Sequence, residues 1–242
     1  LLGRAVGALE SQRRDLVTVI GRMICGSFWE RVIMPIIGAL LAIRFHPTVV
    51  NRARRASEAI ANGQFILVTR ESYEAVGTHA AVKHEVAEDL ALAQLYFRAG
   101  RPQLFAFGLR LLGTRMYTSL AGLVEGWSKN VYVGGRRSYP DEPVLRALIP
   151  VMFACGALFW LLPPAVLLLA LVGVTPALLA AAAWATGLSA LFWVLFNAGF
   201  GINPLYGFSY PLGVVMTGWI FARSTRRGEQ RIEWRGRIYT AG

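Results

Sequence analysis

The most constraining feature of this chain is a long stretch without charge. From Ala147 to Ala222 it contains no Asp, Glu, Lys, Arg or His. One passage through a bilayer takes about 20 mostly apolar residues, so residues 146–223 are predicted to form about three transmembrane segments. Residues 1–145 are polar enough to fold in water and have roughly the length of one domain. We therefore predict a water-exposed module that is attached at its C-terminal end to a bundle of membrane helices.

Glycine and proline residues divide the uncharged stretch. They separate predicted segments at 147–172, 176–197 and 205–222, and a kink or break is expected at Pro163–Pro164. Three crossings would put the module and the basic tail at 224–242 on opposite sides of the membrane. Basic segments favour the cytoplasmic side, so charge places both on the same side. A re-entrant segment, or a division of the first segment at Pro163–Pro164, would each resolve this conflict, and the sequence leaves the choice open.

The chain is strongly basic, with 25 Lys and Arg against 14 Asp and Glu residues. A basic excess beside apolar segments predicts a multi-pass protein of the cell inner membrane, with its module in the cytoplasm against anionic lipid. The lipid bilayer is thus an expected partner, and the oligomeric state is left open. Nucleic acid is not an expected partner, because the basic residues form no repeat with aromatic ones.

One apolar stretch lies within the module. The segment Ser27–Phe45 is long and apolar but carries Glu30 and Arg31 near its start. This pattern is typical of a helix that lies at the membrane surface rather than crossing it. A buried core helix is the alternative. Phe28 and Trp29 favour the interface, because amphipathic aromatic side chains settle there.

The rest of the module alternates helical and strand patterns, which predicts an α+β fold. Helices are expected at Leu1–Arg14, Glu71–Val76, Glu88–Gly100 and Arg115–Asn130. Strands are expected at Asp15–Ile20, Asn62–Thr69, Pro102–Phe107 and Leu109–Gly113.

Titratable side chains are densest between His79 and Asp89. Glu88 and Asp89 open a predicted helix, where acidic residues commonly stand for capping and helix-dipole reasons alone. The alternative is that one carboxylate projects into a cleft and takes a proton from a substrate hydroxyl. Spacing does not decide between the two.

Two further segments carry candidate ligand contacts. Asn62 and Gly63 open a predicted strand, where a glycine often brings backbone close to a ligand; a plain turn is the alternative. The helix that starts at Arg115 carries Trp127 and Lys129 near its end. These side chains are either membrane-interface anchors or, for the two cations, groups that hold a diphosphate leaving group.

Four segments taken together resemble a known family. NGQFILVTRESYEAVG, EDLALA, RMYTSLAGLVEGWSKN and EWRGRIY stand in the order and spacing of the C-terminal half of membrane-bound family 2 glycosyltransferases. The resemblance is to the bacterial branch that acts on lipid-like acceptors, such as carotenoid glycosyltransferases, and it extends over nearly the whole chain. Each segment alone is a weak signal, and their order makes the match fairly specific.

The resemblance implies the acceptor-side half of a GT-A fold followed by membrane helices. It also implies an inverting transfer of a sugar from a nucleotide-sugar donor to a hydroxyl or carboxyl of a lipid-like acceptor. The family's acidic base corresponds to Asp89, with Glu88 beside it. The other candidates are His79, Arg115, Trp127 and Lys129 on the acceptor and leaving-group side, and the backbone of Asn62 and Gly63 on the donor side.

The chain departs from the family pattern in three places. The Gly-Gly-His that follows the short helix is here Gly77-Thr78-His79. Where many relatives carry QxxRW, at Leu123–Trp127, only the tryptophan stands. The family's nucleotide-binding strands and metal-binding DxD would precede Leu1. We therefore expect this chain to be the C-terminal portion of a longer enzyme, inactive alone. A divalent cation, Mg or Mn, is expected in the complete enzyme, with no metal ligand from this chain.

A non-catalytic function is the alternative. In that case the chain is a membrane-anchored module that binds lipids or partner proteins through its basic surface. Sugar transfer or nucleotide-sugar hydrolysis by the complete enzyme would distinguish the two. A transporter is disfavoured, because the uncharged stretch contains no ionisable residue that could relay an ion or a proton.

Overall fold

The computed structural model describes residues 1–228, 232–234 and 237–239, so part of the basic tail predicted at 224–242 lies outside the described residues. The described part is mostly helical with small sheets, consistent with the predicted α+β class. The helices are α1 (Leu2–Ser11), α2 (Phe28–Arg44), α3 (Pro47–Val50), α4 (Arg70–Ala75), α5 (Glu88–Arg98), α6 (Leu120–Arg137), α7 (Pro143–Leu171), α8 (Leu179–Gly199) and α9 (Tyr210–Arg227). The strands are β1 (Leu16–Ile20), β2 (Arg22–Met23), β3 (Ile66–Val68), β4 (Gln103–Phe107), β5 (Gly113–Thr114), β6 (Ile232–Trp234) and β7 (Arg237–Tyr239). Short 3-10 helices lie at Ala56–Glu58, His79–Val82, Pro176–Leu178 and Pro204–Ser209.

A three-stranded sheet forms the centre of the module. β1 lies between β3 and β4, antiparallel to β3 and parallel to β4. Leu16 is opposite Val68 on one side and Gln103 on the other. α5 packs on one face of the sheet through the buried Leu92, and α1 covers the other face through Ala5. Because β1 is covered on both faces, its sequence is a nearly continuous apolar run.

The prediction of a strand at 109–113 is wrong for most of that range. Leu111 and Leu112 both donate their N–H to the carbonyl of Gly108, at 2.8 and 2.9 Å, and so form a turn. Only β5 is extended, and it pairs in parallel with β2. The apolar pattern of this segment matches a strand, but the chain has to leave the central sheet here to reach the second one.

Two other predicted boundaries also differ from those in the structure. α6 begins after Ser119, whose hydroxyl accepts the N–H of Gly122 at 3.1 Å, and not at Arg115 as predicted. A serine N-cap satisfies one of the free donors of the first helical turn, which fixes the start of a helix more sharply than apolar spacing does. The predicted strand at 62–69 shortens to β3, because a turn occupies the residues before Phe65.

α2 lies between the module and the remaining helices. It begins with a capping box in which Ser27 and Glu30 accept each other's backbone N–H. Ile33 packs against α6 and α9, and Ile36 packs against α7, α8 and α9. At its far end, Phe45 packs with Leu90 at the start of α5. The helix predicted at 27–45 is therefore present and buried along much of its length.

Four helical stretches are long and apolar enough to cross a membrane: Phe28–Val50, Pro143–Leu171, Pro176–Gly199 and Pro204–Arg227. The breaks predicted around residues 173–176 and 199–204 fall where two of the 3-10 helices follow α7 and α8. α7 continues as one helix through Pro163 and Pro164. Prolines are tolerated within membrane helices, because neighbouring helices and local adjustments satisfy the freed backbone groups.

α2 and α9 approach each other closely at Gly213. A Cβ at this position would overlap the carbonyl oxygen of Val32 and would stand 3.0 Å from Cγ1 of Ile36. Gly218 lies on the same helix, and a Cβ there would meet nothing within 4 Å. The absence of a side chain at Gly213 thus lets the two helices pack backbone against backbone, the approach that small residues provide in membrane proteins.

We expect Gly213→Ala to destabilise the protein by about 1–3 kcal/mol, because the added methyl forces two backbones apart. Gly218→Ala on the same helix is the matched control, and it should be neutral or slightly stabilising, since alanine favours a helix by up to about 1 kcal/mol. Thermal unfolding of both variants in the same detergent compares them. Equal unfolding temperatures would contradict this packing.

Candidate active site

A cleft of about 460 Å³ opens beside the three-stranded sheet. Three segments that are distant in the sequence form it: the turn before β3, the stretch from α4 to the next 3-10 helix, and the start of α5. The lining residues are Gly63, Gln64, Phe65, Ile66, Val68, Tyr73, His79, Glu88, Asp89 and Leu92. The cleft therefore brings together four of the residues predicted from the sequence, namely Gly63, His79, Glu88 and Asp89.

Asp89 is held in place by the main chain. Its Oδ2 accepts the N–H of Gly63 at 2.9 Å, and its Oδ1 accepts the N–H of Leu90 at 2.8 Å. A Cβ on residue 63 would stand 3.3 Å from Oδ2, so the close approach favours a glycine there. Each carboxylate oxygen has two lone pairs, and the half-buried side chain borders the cleft. The group is thus oriented and still able to accept a proton. Glu88 beside it is exposed.

The turn that carries Gly63 is fixed by Thr18, a residue that the sequence analysis did not single out. Thr18 is fully buried in β1. Its hydroxyl accepts the N–H of Asn62 at 2.8 Å and donates to the carbonyl of Phe65 at 3.0 Å. Asn62 in turn accepts the N–H of Gln64 at 2.9 Å through its side chain. Asn62 therefore shapes the turn, while Gly63 borders the cleft. The signal in the sequence that points to Thr18 is its position as a polar residue inside an apolar strand.

The turn lies close to the carboxyl end of β1, because Oε1 of Gln64 accepts the N–H of Gly21 at 3.2 Å. β1 and β4 are parallel, so their carboxyl ends meet at the same edge of the sheet. Ligands of open α/β sheets bind outside this edge. The turn at one end of the cleft therefore lies at this edge, and the cleft extends from it along β3 to Val68, opposite the first residue of β1.

His79 borders the same cleft and pairs with Tyr73. The Tyr73 hydroxyl lies 2.6 Å from Nδ1 of His79 and accepts the His79 backbone N–H at 3.0 Å. Tyr73 was missed because nothing in the sequence pattern links it to the histidine. Between α4 and His79, Thr78 has φ 59° and ψ −167°, a conformation that residues other than glycine rarely adopt. The family pattern that the chain resembles has glycine at this position, where it carries no such strain.

Arg115 lies at a different place, against the start of α2. Its Nε and Nη2 donate to the two carboxylate oxygens of Glu30 at 3.0 and 2.9 Å. Glu30 is 2% exposed and also accepts the N–H groups of Gly26 and Ser27. The hydrogen bonds to Glu30 raise the pKa of Arg115. Arg115 thus neutralises a buried carboxylate and joins β5 to α2.

Trp127 and Lys129 are both buried on α6. The Trp127 indole N–H points at the sulfur of Met34 at 3.3 Å, and its ring packs at 6.2 Å from that of Tyr117. Burial raises the pKa of Tyr117 to about 12. Within residues 1–228, neither Trp127 nor Lys129 is among the side chains that line the cleft. α6 therefore presents these two residues to its helical neighbours, and the roles predicted for them stay predictions.

The cleft offers two carboxyl groups and an imidazole, side chains that can take up and release protons. Among the described residues, no group of three or more His, Cys, Asp or Glu side chains is placed to hold a metal ion. Comparison with protein-family models, with curated proteins and with solved structures finds no match. The assignment of function therefore depends on the geometry of the cleft and on the resemblance in the sequence.

We expect Arg115→Ala to lower the unfolding temperature, because Glu30 would remain buried without its partner. Adding Glu30→Gln should restore part of the loss, since the neutral amide leaves no unpaired charge and its one oxygen can still accept the N–H of either Gly26 or Ser27. Thermal unfolding of the two single variants and the double variant measures this coupling. Losses that simply add in the double variant would contradict the ion pair.

Proposed function

We propose that this chain is the acceptor-side portion of an inverting, membrane-bound glycosyltransferase. The observation that carries the proposal is the meeting of Gly63, His79, Glu88 and Asp89, from three separate segments, around one cleft. All four are residues to which the family resemblance assigns a place in the site. Their meeting around one cleft supports the proposal.

In this proposal Asp89 is the general base. As the acceptor oxygen attacks the anomeric carbon of the donor sugar, its proton passes to the Asp89 carboxylate. The bond between that carbon and the diphosphate oxygen breaks, and the nucleoside diphosphate leaves with the bonding electrons. A single displacement of this kind inverts the anomeric centre. The main-chain bonds from Gly63 and Leu90 hold the carboxylate in position for the attack.

The other candidates take different parts. Glu88 and His79 border the space that the acceptor would occupy. Asn62 orients Gly63 on the side assigned to the donor. Arg115 and Trp127 contact α2 through Glu30 and Met34, away from the reacting atoms of this proposal, and the leaving-group role predicted for Lys129 stays a prediction. The resemblance assigns the divalent cation and the nucleotide sugar to a part of the family fold that precedes these segments, so no residue of this chain is assigned to the cation.

A lipid-like acceptor fits the surroundings of the module. Four apolar helical stretches long enough to cross a membrane belong to the same chain, and α2 joins them to the sheet. We propose that the protein resides in the cell inner membrane with the module on the cytoplasmic side, where basic segments lie against anionic lipid. The acceptor would then reach the cleft from the bilayer.

One observation favours the non-catalytic alternative. Both oxygens of Asp89 accept backbone N–H groups, as a purely structural carboxylate at a helix start would. In that case the chain is a membrane-anchored module that binds lipids or partner proteins. The two functions differ in what the removal of the negative charge does.

We expect Asp89→Asn to reduce sugar transfer by 100-fold or more, since general-base catalysis contributes roughly 10²–10⁴-fold. The amide oxygen can keep one main-chain bond, so the fold should persist. The measurement is incorporation of labelled sugar into membrane lipid by the longest reading frame that contains this sequence. Glu88→Gln is the matched control, and it should retain most activity. Full activity of Asp89→Asn would overturn the assignment.

A further inference from the structure

We propose that only α7 and α8 cross the membrane, as a hairpin, that α2 lies largely buried along the membrane surface, and that α9 lies there with its outer face in lipid. This places the module and the end of α9 on the same side. Burial already separates the four apolar stretches: 44% and 39% of the most apolar windows containing α2 and α9 are buried, against 6% and 11% for those containing α7 and α8. A helix that is surrounded mainly by lipid has few protein neighbours, so only a small fraction of it is buried within the protein.

Both ends of α9 are tied to the module. Just before its start, the Tyr206 hydroxyl accepts a hydrogen bond from Nη1 of Arg31 in the first turn of α2 at 3.1 Å, and Arg31 also donates to the carbonyl of Cys25, two residues after β2. Near its end, Arg223 and Arg227 pair with Glu125 on α6. A helix fastened to one soluble module at both ends cannot have its ends on opposite sides of a bilayer.

The same holds for α2. Its first turn is fixed by the pair between Glu30 and Arg115, which follows β5. Its last residue, Arg44, donates to the carbonyl oxygens of Ser57 and Ser138. Both partners belong to the module, since Ser57 lies in the 3-10 helix at 56–58 and Ser138 caps α6. α2 is therefore a bridge along the module and not a crossing.

The two faces of α9 fit a helix that lies in the plane of the interface. Its inner face is buried and includes Gly213, Val214, Thr217, Ile220, Phe221 and Ser224. Its outer face exposes Leu212, Val215 and Trp219, at the spacing of one helical stripe. The last two turns of α9 carry Arg223, Arg226 and Arg227. An apolar stripe with a tryptophan and flanking basic residues is what the boundary between headgroups and acyl chains binds.

The hairpin has the dimensions of two crossings. α7 has 29 residues and α8 has 21, which correspond to about 43 and 31 Å at 1.5 Å per residue, against a hydrocarbon thickness of about 30 Å. Large apolar side chains such as Phe159, Leu168, Trp184 and Leu195 are exposed on both helices. The second helix returns to the module, where the ring of Phe200 lies 6.4 Å from that of Phe107.

Loops of the module add a further apolar surface beside the bundle. Phe107, Leu111 and Met116 are exposed on the segment between β4 and α6, and Ile24 and Phe28 are exposed around the start of α2. Two of these side chains lie beside the membrane helices, since Phe107 meets Phe200 at the end of α8 and the ring of Phe28 lies 6.0 Å from that of Tyr206 just before α9. Lipid is the partner that would cover them, because exposed apolar side chains next to lipid-facing helices mark a membrane contact. An even number of crossings also removes the conflict between segment count and the basic tail.

The test is labelling of single cysteines in sealed membrane vesicles with a membrane-impermeant maleimide. In a Cys25→Ser, Cys155→Ser background, one cysteine replaces each of four exposed residues: Glu10, Glu71, Val174 and Arg226. We expect Glu10→Cys, Glu71→Cys and Arg226→Cys to label from one side and Val174→Cys from the other. Labelling of Arg226→Cys with Val174→Cys would show that α9 crosses. Opposite labelling of Glu10→Cys and Glu71→Cys would show that α2 crosses. Labelling of all four from one side would show that the hairpin does not cross.

A depth measurement checks α9 independently. Spin labels at Leu212, Val215, Trp219 and Ala222 in reconstituted vesicles should report the same shallow depth, to within a few Å. A crossing helix would instead spread them over about 15 Å, at 1.5 Å per residue, and this result would overturn the proposal. Labels at Leu188, Leu191 and Leu195 on α8 are the control, and their depths should spread over about 10 Å.

Discussion

The position of α2 depends on the neutralisation of one buried carboxylate. Glu30 is enclosed at the start of the helix and is satisfied by Arg115 from the second sheet together with two N–H groups of its own cap. A buried carboxylate without such partners would cost several kcal/mol. Because the pair joins β5 to α2, it fixes the helix against the module. The other helices then pack on α2, with Gly213 of α9 in direct contact with its backbone.

The polar groups of the cleft differ from the buried Glu30 in that they are oriented by the main chain and remain accessible. Asp89 is bound by two N–H groups, Gly63 is placed by the buried hydroxyl of Thr18, and His79 is held by Tyr73. Thr78 adds a strained backbone at its edge. Strain of this kind persists only where the surrounding structure fixes it, and it concentrates at functional sites. The proposed chemistry uses this fixed geometry and requires no large rearrangement.

The sequence predicted the presence of helices and strands better than it predicted their end residues and their long-range contacts. The absence of charge located the membrane helices, and apolar spacing located α5 and β1. The strand expected at 109–113 failed because a turn at Gly108 redirects the chain, which spacing does not reveal. Cleft residues named by motifs were brought together, whereas Thr18 and Tyr73 were missed because long-range hydrogen bonds leave no local pattern. Arg115 was predicted to lie on the acceptor and leaving-group side. Its ion pair with Glu30 was not predicted, because the two residues are 85 positions apart in the sequence.

The packing of Phe45 against Leu90 has a mechanical consequence. Phe45 caps the end of α2, Leu90 follows Asp89 directly, and both belong to one buried cluster against the central sheet. Protein interiors are close-packed and transmit displacement rather than absorbing it. The bridging helix and the segment that carries the carboxylate are therefore coupled through this cluster, so that neither can shift without repacking it.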